Sequence, residues 1–376
     1  MNQKLVIGID VRDLKVAKTG TKTYLEELVK AFKKLESNEI NFHFLDTTWA
    51  VYTGESKLRK LIAHINYHTW KQLVLPFKAW NRGCNIVFCT DSYVPYLHFK
   101  FKTVPVFHDA FLFENPEHYH SIWLKIYLFF TISAAHRAAK IICPTHYSKK
   151  QILHYTKLHS NLFEIVYEGP KSVATPDIQS INLFQKFNIA TQKYLLHVGV
   201  MDKRKNLPRL VSAFSKVQMV YPDIKLVLVG STTSKKHGND FNAIVHAIDE
   251  HHLQNKVILT GYLNDSQVAE MYRHATAYVF PSINEGFGIP ILEAFHFQIP
   301  VAAANNTCLP EVGGKAIVKF DPFSIEDIAN KIVEILSNIN LRDNLVANGS
   351  ERLKNFSWDT AAKQLLYIFR AIHQKS

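Results

Sequence analysis

PSINEGFGIPILEA, residues Pro281–Ala294, follows the short apolar run Ala277–Phe280 and precedes another that begins at Pro300. The pattern predicts a strand, a Gly-containing turn and a helix reaching about Phe297. Gly286 and Gly288 let the backbone approach a ligand closely, and Pro290 suits the first helical position. The N–H groups of the turn and of the helix start then face an anion, assisted by the helix dipole. Glu285 in the turn and Glu293 on the first helical turns frame that position. Carboxylates do not bind phosphate; they accept charge-assisted hydrogen bonds from hydroxyls of a sugar or ribose. The pattern fits a nucleotide sugar, and equally a Gly-rich turn with a capping Glu.

Outward from this unit the chain repeats the same theme. Strands are expected at Leu5–Ile9, Asn41–Leu45, Ile86–Cys89, Thr103–Phe107, Lys140–Cys143 and Glu164–Tyr167, then at Tyr194–Val198, Lys225–Val229, Lys256–Leu259, Ala277–Phe280 and Pro300–Ala303. Helical patterns such as Thr23–Leu35 and Leu207–Tyr221 separate them. Near-continuous apolar strands alternating with helices predict an α/β fold with parallel sheets covered on both faces. The 376 residues exceed one ordinary core, and the pattern restarts near Tyr194 after a Gly/Pro-containing connection. Two Rossmann-like domains facing across a cleft are expected, with ligands at the carboxyl ends of the strands.

Composition narrows the classes further. With 47% hydrophobic and 20% charged residues the chain is globular. The four cysteines (Cys84, Cys89, Cys143, Cys308) lack zinc-ligand spacing and predict reduced, buried thiols in a cytoplasmic protein. MNQKLVIGID reads as a first strand and not a signal peptide. The most membrane-like stretch, Ile126–Ala135, lies between Lys125 and Arg137, well short of the roughly 20 residues that spanning needs. Of the net charge of +12, residues 1–190 carry 24 Lys/Arg against 15 Asp/Glu (+9), and residues 191–376 carry 20 against 17 (+3). That excess would attract a phospholipid surface, a lipid diphosphate or nucleic acid, or be a merely basic surface. Lys57–Arg82 mixes basic and aromatic residues; it reads either as a helix packed on its domain or as a membrane-surface patch carrying Trp70, Phe77 and Trp80 into the headgroup region.

Residues 281–294 resemble the Glu-x7-Glu signature of the retaining glycosyltransferases of family four, which have the GT-B fold. The resemblance continues in LPEVGG (Leu309–Gly314), in Asp321-Pro322 and in FSW (Phe356–Trp358), and covers essentially the whole chain. It implies an acceptor-side domain over 1–170, completed by a C-terminal helix over 360–376, and a nucleotide-sugar domain over 171–359. HVGVMDKRKN (His197–Asn206) follows the first strand of the second domain. Three adjacent cations there are ordinarily a solvated run, but the resemblance gives Arg204 and Lys205 the donor diphosphate and the leaving group. Fixed cations at a departing diphosphate match charge that develops in the transition state. Asp-x-Asp is absent, so no metal and no other cofactor is expected.

The catalytic set implied is His108, Glu285, Arg204 and Lys205, with His108 facing the donor sugar. Donor binding is expected from Gly20, Lys22, Gly199, Arg204, Lys205, Gly286, Phe287, Gly288, Ile289 and Glu293. In the loop Thr19–Tyr24 the family usually has a second glycine where this chain has Lys22. Asp91 and Tyr93 are expected on the acceptor side, with Asp109 orienting His108 or supporting its loop. The Arg-Lys-Asn variant and the Thr-Gly loop resemble bacterial polysaccharide transferases, many of them mannosyl-transferring. The expectation is therefore retaining hexose transfer, GDP-mannose being the first donor to consider, onto a glycan or lipid-diphosphate-linked acceptor, in the cytoplasm or peripherally at the inner face of the membrane. A GT-B-like sugar-nucleotide epimerase or phosphorylase is the alternative. A nucleic-acid-binding protein is disfavoured, because no binding module is recognisable.

Overall fold

The structure, a computed structural model, describes residues 4–17, 19–49, 51–52, 54, 56–97, 99–116, 121–174, 183–189, 193–231 and 239–375. The chain forms two compact units, Met1–Glu168 with Ser357–Ser376, and Gly169–Phe356.

In the first unit β1 (Leu5–Asp10), β2 (Ile40–Leu45), β3 (Ile86–Cys89) and β4 (Lys102–Pro105) form a parallel sheet in the order β2-β1-β3-β4. A parallel bridge from Val106 to Ile142 leads on to the pair β5 (Ile141–Cys143) and β6 (Phe163–Ile165). The strands are nearly all apolar because helices cover both faces. One of these, Trp358–Gln374, returns from the end of the chain and is capped by Ser357. Its Trp358 meets Tyr24 edge-on at 5.4 Å, and Phe369 lies 5.4 Å from Phe88.

The second unit holds six parallel strands: β7 (Tyr194–Val198), β8 (Lys225–Val229), β9 (Val257–Gly261), β10 (Ala277–Phe280), β11 (Val301–Ala304) and β12 (Ile317–Phe320). Their order, β12-β11-β10-β7-β8-β9, is that of a doubly wound sheet, reversing direction between β7 and β10. β12 is absent from the expected strands. Its Ile-Val-Lys-Phe sequence places the exposed Lys319 in an edge strand and interrupts the apolar run.

Two local departures matter for the site. The helix expected from Thr23 begins at Thr19, so Gly20 and Lys22 belong to its first turn and not to a loop. The single helix expected over Lys57–Arg82 is two, Lys57–Thr69 and Leu75–Asn81, joined by a π-turn at Trp70–Val74. Pro76 has no N–H to return to that turn, and the wider turn ahead of it accommodates the loss. Trp70 and Lys71, at the start of that turn, lie in the core and are almost wholly buried. Trp70 is therefore not available to a membrane, contrary to the expectation for this segment.

Inside, the Lys71 ammonium lies 2.6 Å from Asp10 and 2.7 Å from Asp91, at the carboxyl ends of β1 and β3. Trp70 donates its indole N–H to Asp10 (3.1 Å), and the Tyr67 hydroxyl donates to Asp91 (2.7 Å). Burial works against the lysine cation, but Asp10 and Asp91 outweigh it and hold the Lys71 pKa above its ordinary range. Removing that cation strands a buried carboxylate. Lys71→Met should cost about 3–5 kcal/mol of unfolding free energy, measurable by urea titration.

Candidate active site

In the second unit the loops after β7 and β10 leave the same end of the sheet at the point where the strand order reverses. The first turns tightly at Lys203–Lys205, where the Asp202 carboxylate accepts from the Arg204 backbone N–H (3.1 Å) and guanidinium (3.0 Å). Asn206, in a left-handed conformation (φ 55°), ends the turn and donates to the carbonyls of Pro281 and Pro322 (3.2 and 2.8 Å). The two loops are joined by Ile283 N–H donating to the Arg204 carbonyl (2.8 Å).

The result is a largely buried ion pair between the loops: Lys205 Nζ lies 2.5 Å from Glu285 Oε1, which also accepts from Ser282 Oγ at 2.7 Å. Burial pushes the Glu285 carboxyl up, but Lys205 and Arg204, with the hydrogen bonds from Lys205 and Ser282, outweigh it and keep the pKa below the ordinary glutamate value. Behind the pair, burial and Lys205 push the fully buried His197 down to about 4. The ring is thus neutral at physiological pH and donates from Nδ1 to the Val279 carbonyl (3.0 Å). A Cβ on Gly199 would lie 3.3 Å from His197 Nε2 and 3.4 Å from Lys205 Cε, so glycine leaves the room that the lysine stem uses.

The helix after β10 starts at Ile289, with Pro290 second. Gly288 precedes it at φ 97°, and any Cβ there would be strained and would meet Leu309 at 2.9 Å. Phe287 and Ile289 have buried side chains, Phe287 packing edge-on to Phe356 (5.9 Å); among atoms of these two donor candidates only the main chain can face a ligand. Glu293 accepts from the Tyr272 hydroxyl (2.9 Å), and burial, which outweighs that bond, raises its pKa. The turn after β11 props the Glu285 loop: Asn306 donates to the Ile283 carbonyl (3.2 Å) and Cys308 Sγ to the Glu285 carbonyl (3.2 Å).

In the first unit His108 lies just past β4. Its Nε2 is 2.9 Å from the Thr90 carbonyl, its Nδ1 is 3.4 Å from the buried Glu168, and the Tyr24 ring stands edge-on at 4.7 Å. Burial disfavours the imidazolium, but Glu168 and the Thr90 carbonyl outweigh burial and raise the pKa. Asp109 does not orient His108. It accepts from Phe111 N–H (3.0 Å) and so supports the loop, while Glu168 takes the orienting place. A lone carboxylate beyond the short strand β6 leaves no pattern in the sequence by which to find it.

The acceptor-side expectation fares differently at each residue. Tyr93 is fully buried, its hydroxyl bonded to His68 Nδ1 (2.8 Å) and its ring stacked on Tyr127 (5.1 Å), so it cannot touch a sugar. Asp91 is engaged by Lys71 and Tyr67. Lys22 is exposed and faces Glu26 at 3.6 Å, while a Cβ on Gly20 would meet nothing. Among the described residues no three His, Cys, Asp or Glu side chains gather as metal ligands do, and no helix is long and apolar enough to cross a membrane.

Parallel sheets of this order give the GT-B fold, which the chain shares with solved glycosyltransferases. Residues 179–352 match the family described as Glycosyl transferases group 1. O-antigen chain mannosyltransferase B of Escherichia coli is 28% identical over 289 residues, 75% of this chain and 73% of that one. Serotype-specific mannosyltransferase WbdA of Escherichia coli is 26% identical over 301 residues, 76% of this chain but 36% of that one, so the likeness spans about a third of that longer protein. Sucrose-phosphate synthase from Thermosynechococcus elongatus has the same fold, with a TM-score of 0.74 at 19% identity over 99% of this chain and 100% of that one.

The raised pKa of His108 gives a signed prediction. A group whose folded pKa lies above its unfolded value stabilises the fold fully below the unfolded pKa of about 6.5 and loses that contribution as pH rises through the folded value. Glu168→Gln should therefore lower the His108 pKa, read by NMR of the imidazole protons. Its stability deficit should be largest in mildly acidic buffer and shrink as pH rises.

Proposed function

We propose that the chain transfers a hexose from a nucleoside-diphosphate sugar, GDP-mannose being the first candidate, to a glycan or lipid-diphosphate-linked acceptor in cell-surface polysaccharide synthesis. Transfer retains the anomeric configuration and needs no metal ion. The observation that carries the reading is the Lys205–Glu285 pair at the β7/β10 switch point. There a ligand offering both a diphosphate and hydroxyls replaces each partner of the pair at once. Likeness to the O-antigen mannosyltransferase supports the sugar and the pathway class.

In this reading Arg204, Lys205 and the main-chain N–H groups after Gly286 hold the diphosphate. Glu285 accepts from sugar hydroxyls, and Glu293, whose raised pKa reflects an apolar setting, accepts from the ribose. His108 bears on the donor sugar, with Glu168 fixing its ring. The acceptor oxygen attacks the anomeric carbon on the face that the diphosphate leaves. The new C–O bond forms as the bond to the phosphate oxygen breaks, and the acceptor hydroxyl proton passes to that oxygen, giving glycoside and nucleoside diphosphate. The cations stabilise charge that grows on the leaving group.

A thermal-shift screen of GDP-, UDP-, dTDP- and ADP-sugars should find a stabilising donor; stabilisation by none would overturn the assignment. Donor consumed at full rate without acceptor would favour an epimerase or phosphorylase. Glu293→Ala should weaken binding of the bare nucleotide by about 10- to 100-fold, the worth of one charge-assisted hydrogen bond. Glu285→Ala should instead spare nucleotide binding and depress transfer, and turnover should persist in EDTA. Equal tolerance of the two alanines would sink both glutamate roles.

A further inference from the structure

A surface helix ordinarily turns its apolar stripe inward. Helix Lys57–Thr69 does the reverse. Leu58, Leu61, Ile62 and Ile65, spaced at i, i+3, i+4 and i+7, share one face, and all are about half exposed or more (68, 57, 47 and 55%). Through the π-turn, where Trp70 and Lys71 face inward, and beyond it, the outward face continues in Leu73, Phe77 and Trp80, again about half exposed. Phe77 and Trp80 lie 5.8 Å apart, and Trp80 lies 5.9 Å from the exposed ring of Phe99. The neighbouring helix Ser121–Ala135, whose Trp123 lies 5.9 Å from His64, adds exposed Ile126 and Phe129.

Charge selects the occupant. Residues 57–82 contain Lys57, Arg59, Lys60, Lys71, Lys78 and Arg82 and no Asp or Glu. Lys71 is consumed by its buried carboxylates and Lys78 donates to the Asp46 carbonyl, but Arg59, Lys60 and Arg82 are exposed beside the stripe, as is Lys100 beside Phe99. A second copy of this chain would set these cations against themselves. An anionic bilayer offers apolar depth and negative headgroups together, which is what a basic helix with an outward apolar face requires.

We propose that this face docks the protein on anionic phospholipid, with Phe77 and Trp80 entering the headgroup layer. The inference deepens the lipid-linked acceptor proposed above, and its role in transfer rests on that reading; the docking itself does not.

The test is co-sedimentation of the full chain with vesicles of phosphatidylcholine alone and of equal parts phosphatidylcholine and phosphatidylglycerol, alongside donor binding in solution. The chain should sediment with the anionic vesicles only, and less so as salt is added. Phe77→Ser with Trp80→Ser should weaken partitioning about tenfold or more. Lys60→Gln and Arg82→Gln should each weaken it about fivefold. All of these residues are solvent-facing, so thermal unfolding and nucleotide binding should stay as in the parent. Absence of binding to anionic vesicles, equal binding by the variants, or self-association abolished by the same substitutions would overturn the proposal. Vesicle binding without any nucleotide-sugar binding would leave the docking face standing and remove the enzymatic reading instead.

Discussion

Reversal of strand order between β7 and β10 is the constraint on which the second unit's chemistry depends. Parallel strands send every following loop to one end of the sheet, and at the reversal the helices after adjacent strands diverge to opposite faces. Two loops are left side by side with nothing between them but their own side chains. Here those side chains are Lys205 and Glu285, and the joints that fix them are made to the main chain: Ile283 to Arg204, Asn206 to Pro281 and Pro322.

The first unit uses the same geometry for another end. Where β1 and β3 finish, Asp10 and Asp91 meet over Lys71, supplied by a helix whose π-turn shifts its register by one residue. A buried ammonium with two carboxylates is costly to desolvate and more costly to break, and it ties the helix to the ends of β1 and β3. His108, on the same sheet beyond β4, is instead held by groups from other segments, Thr90 and Glu168.

How much of this the sequence displayed follows from what is local. β7, β8 and β10 were legible because strands buried on both faces read as unbroken apolar runs, and the Gly-Phe-Gly turn was legible because glycine at positive φ leaves a mark in the sequence. β12 escaped because one exposed lysine breaks a four-residue run. The inward facing of Trp70 escaped because the helix carries apolar residues on both faces, Leu58, Leu61, Ile62 and Ile65 outward and Trp70 inward, and spacing alone does not say which face is buried. Glu168 and Tyr272 escaped for a different reason. Their partners, His108 and Glu293, are brought to them only by folding, and no spacing in the chain announces a contact of that kind.

The pairing of Lys205 with Glu285 has a consequence for selection among ligands. A cation already neutralised by a carboxylate exerts little pull on a bare anion. Inorganic phosphate would have to unseat a carboxylate that is hydrogen-bonded to Ser282 and held in its ionised form, and would leave it stranded. A molecule that carries hydroxyls alongside its phosphates compensates both halves in one step. On the proposed reading the closed pair acts as a two-key lock, in which negative charge alone turns nothing.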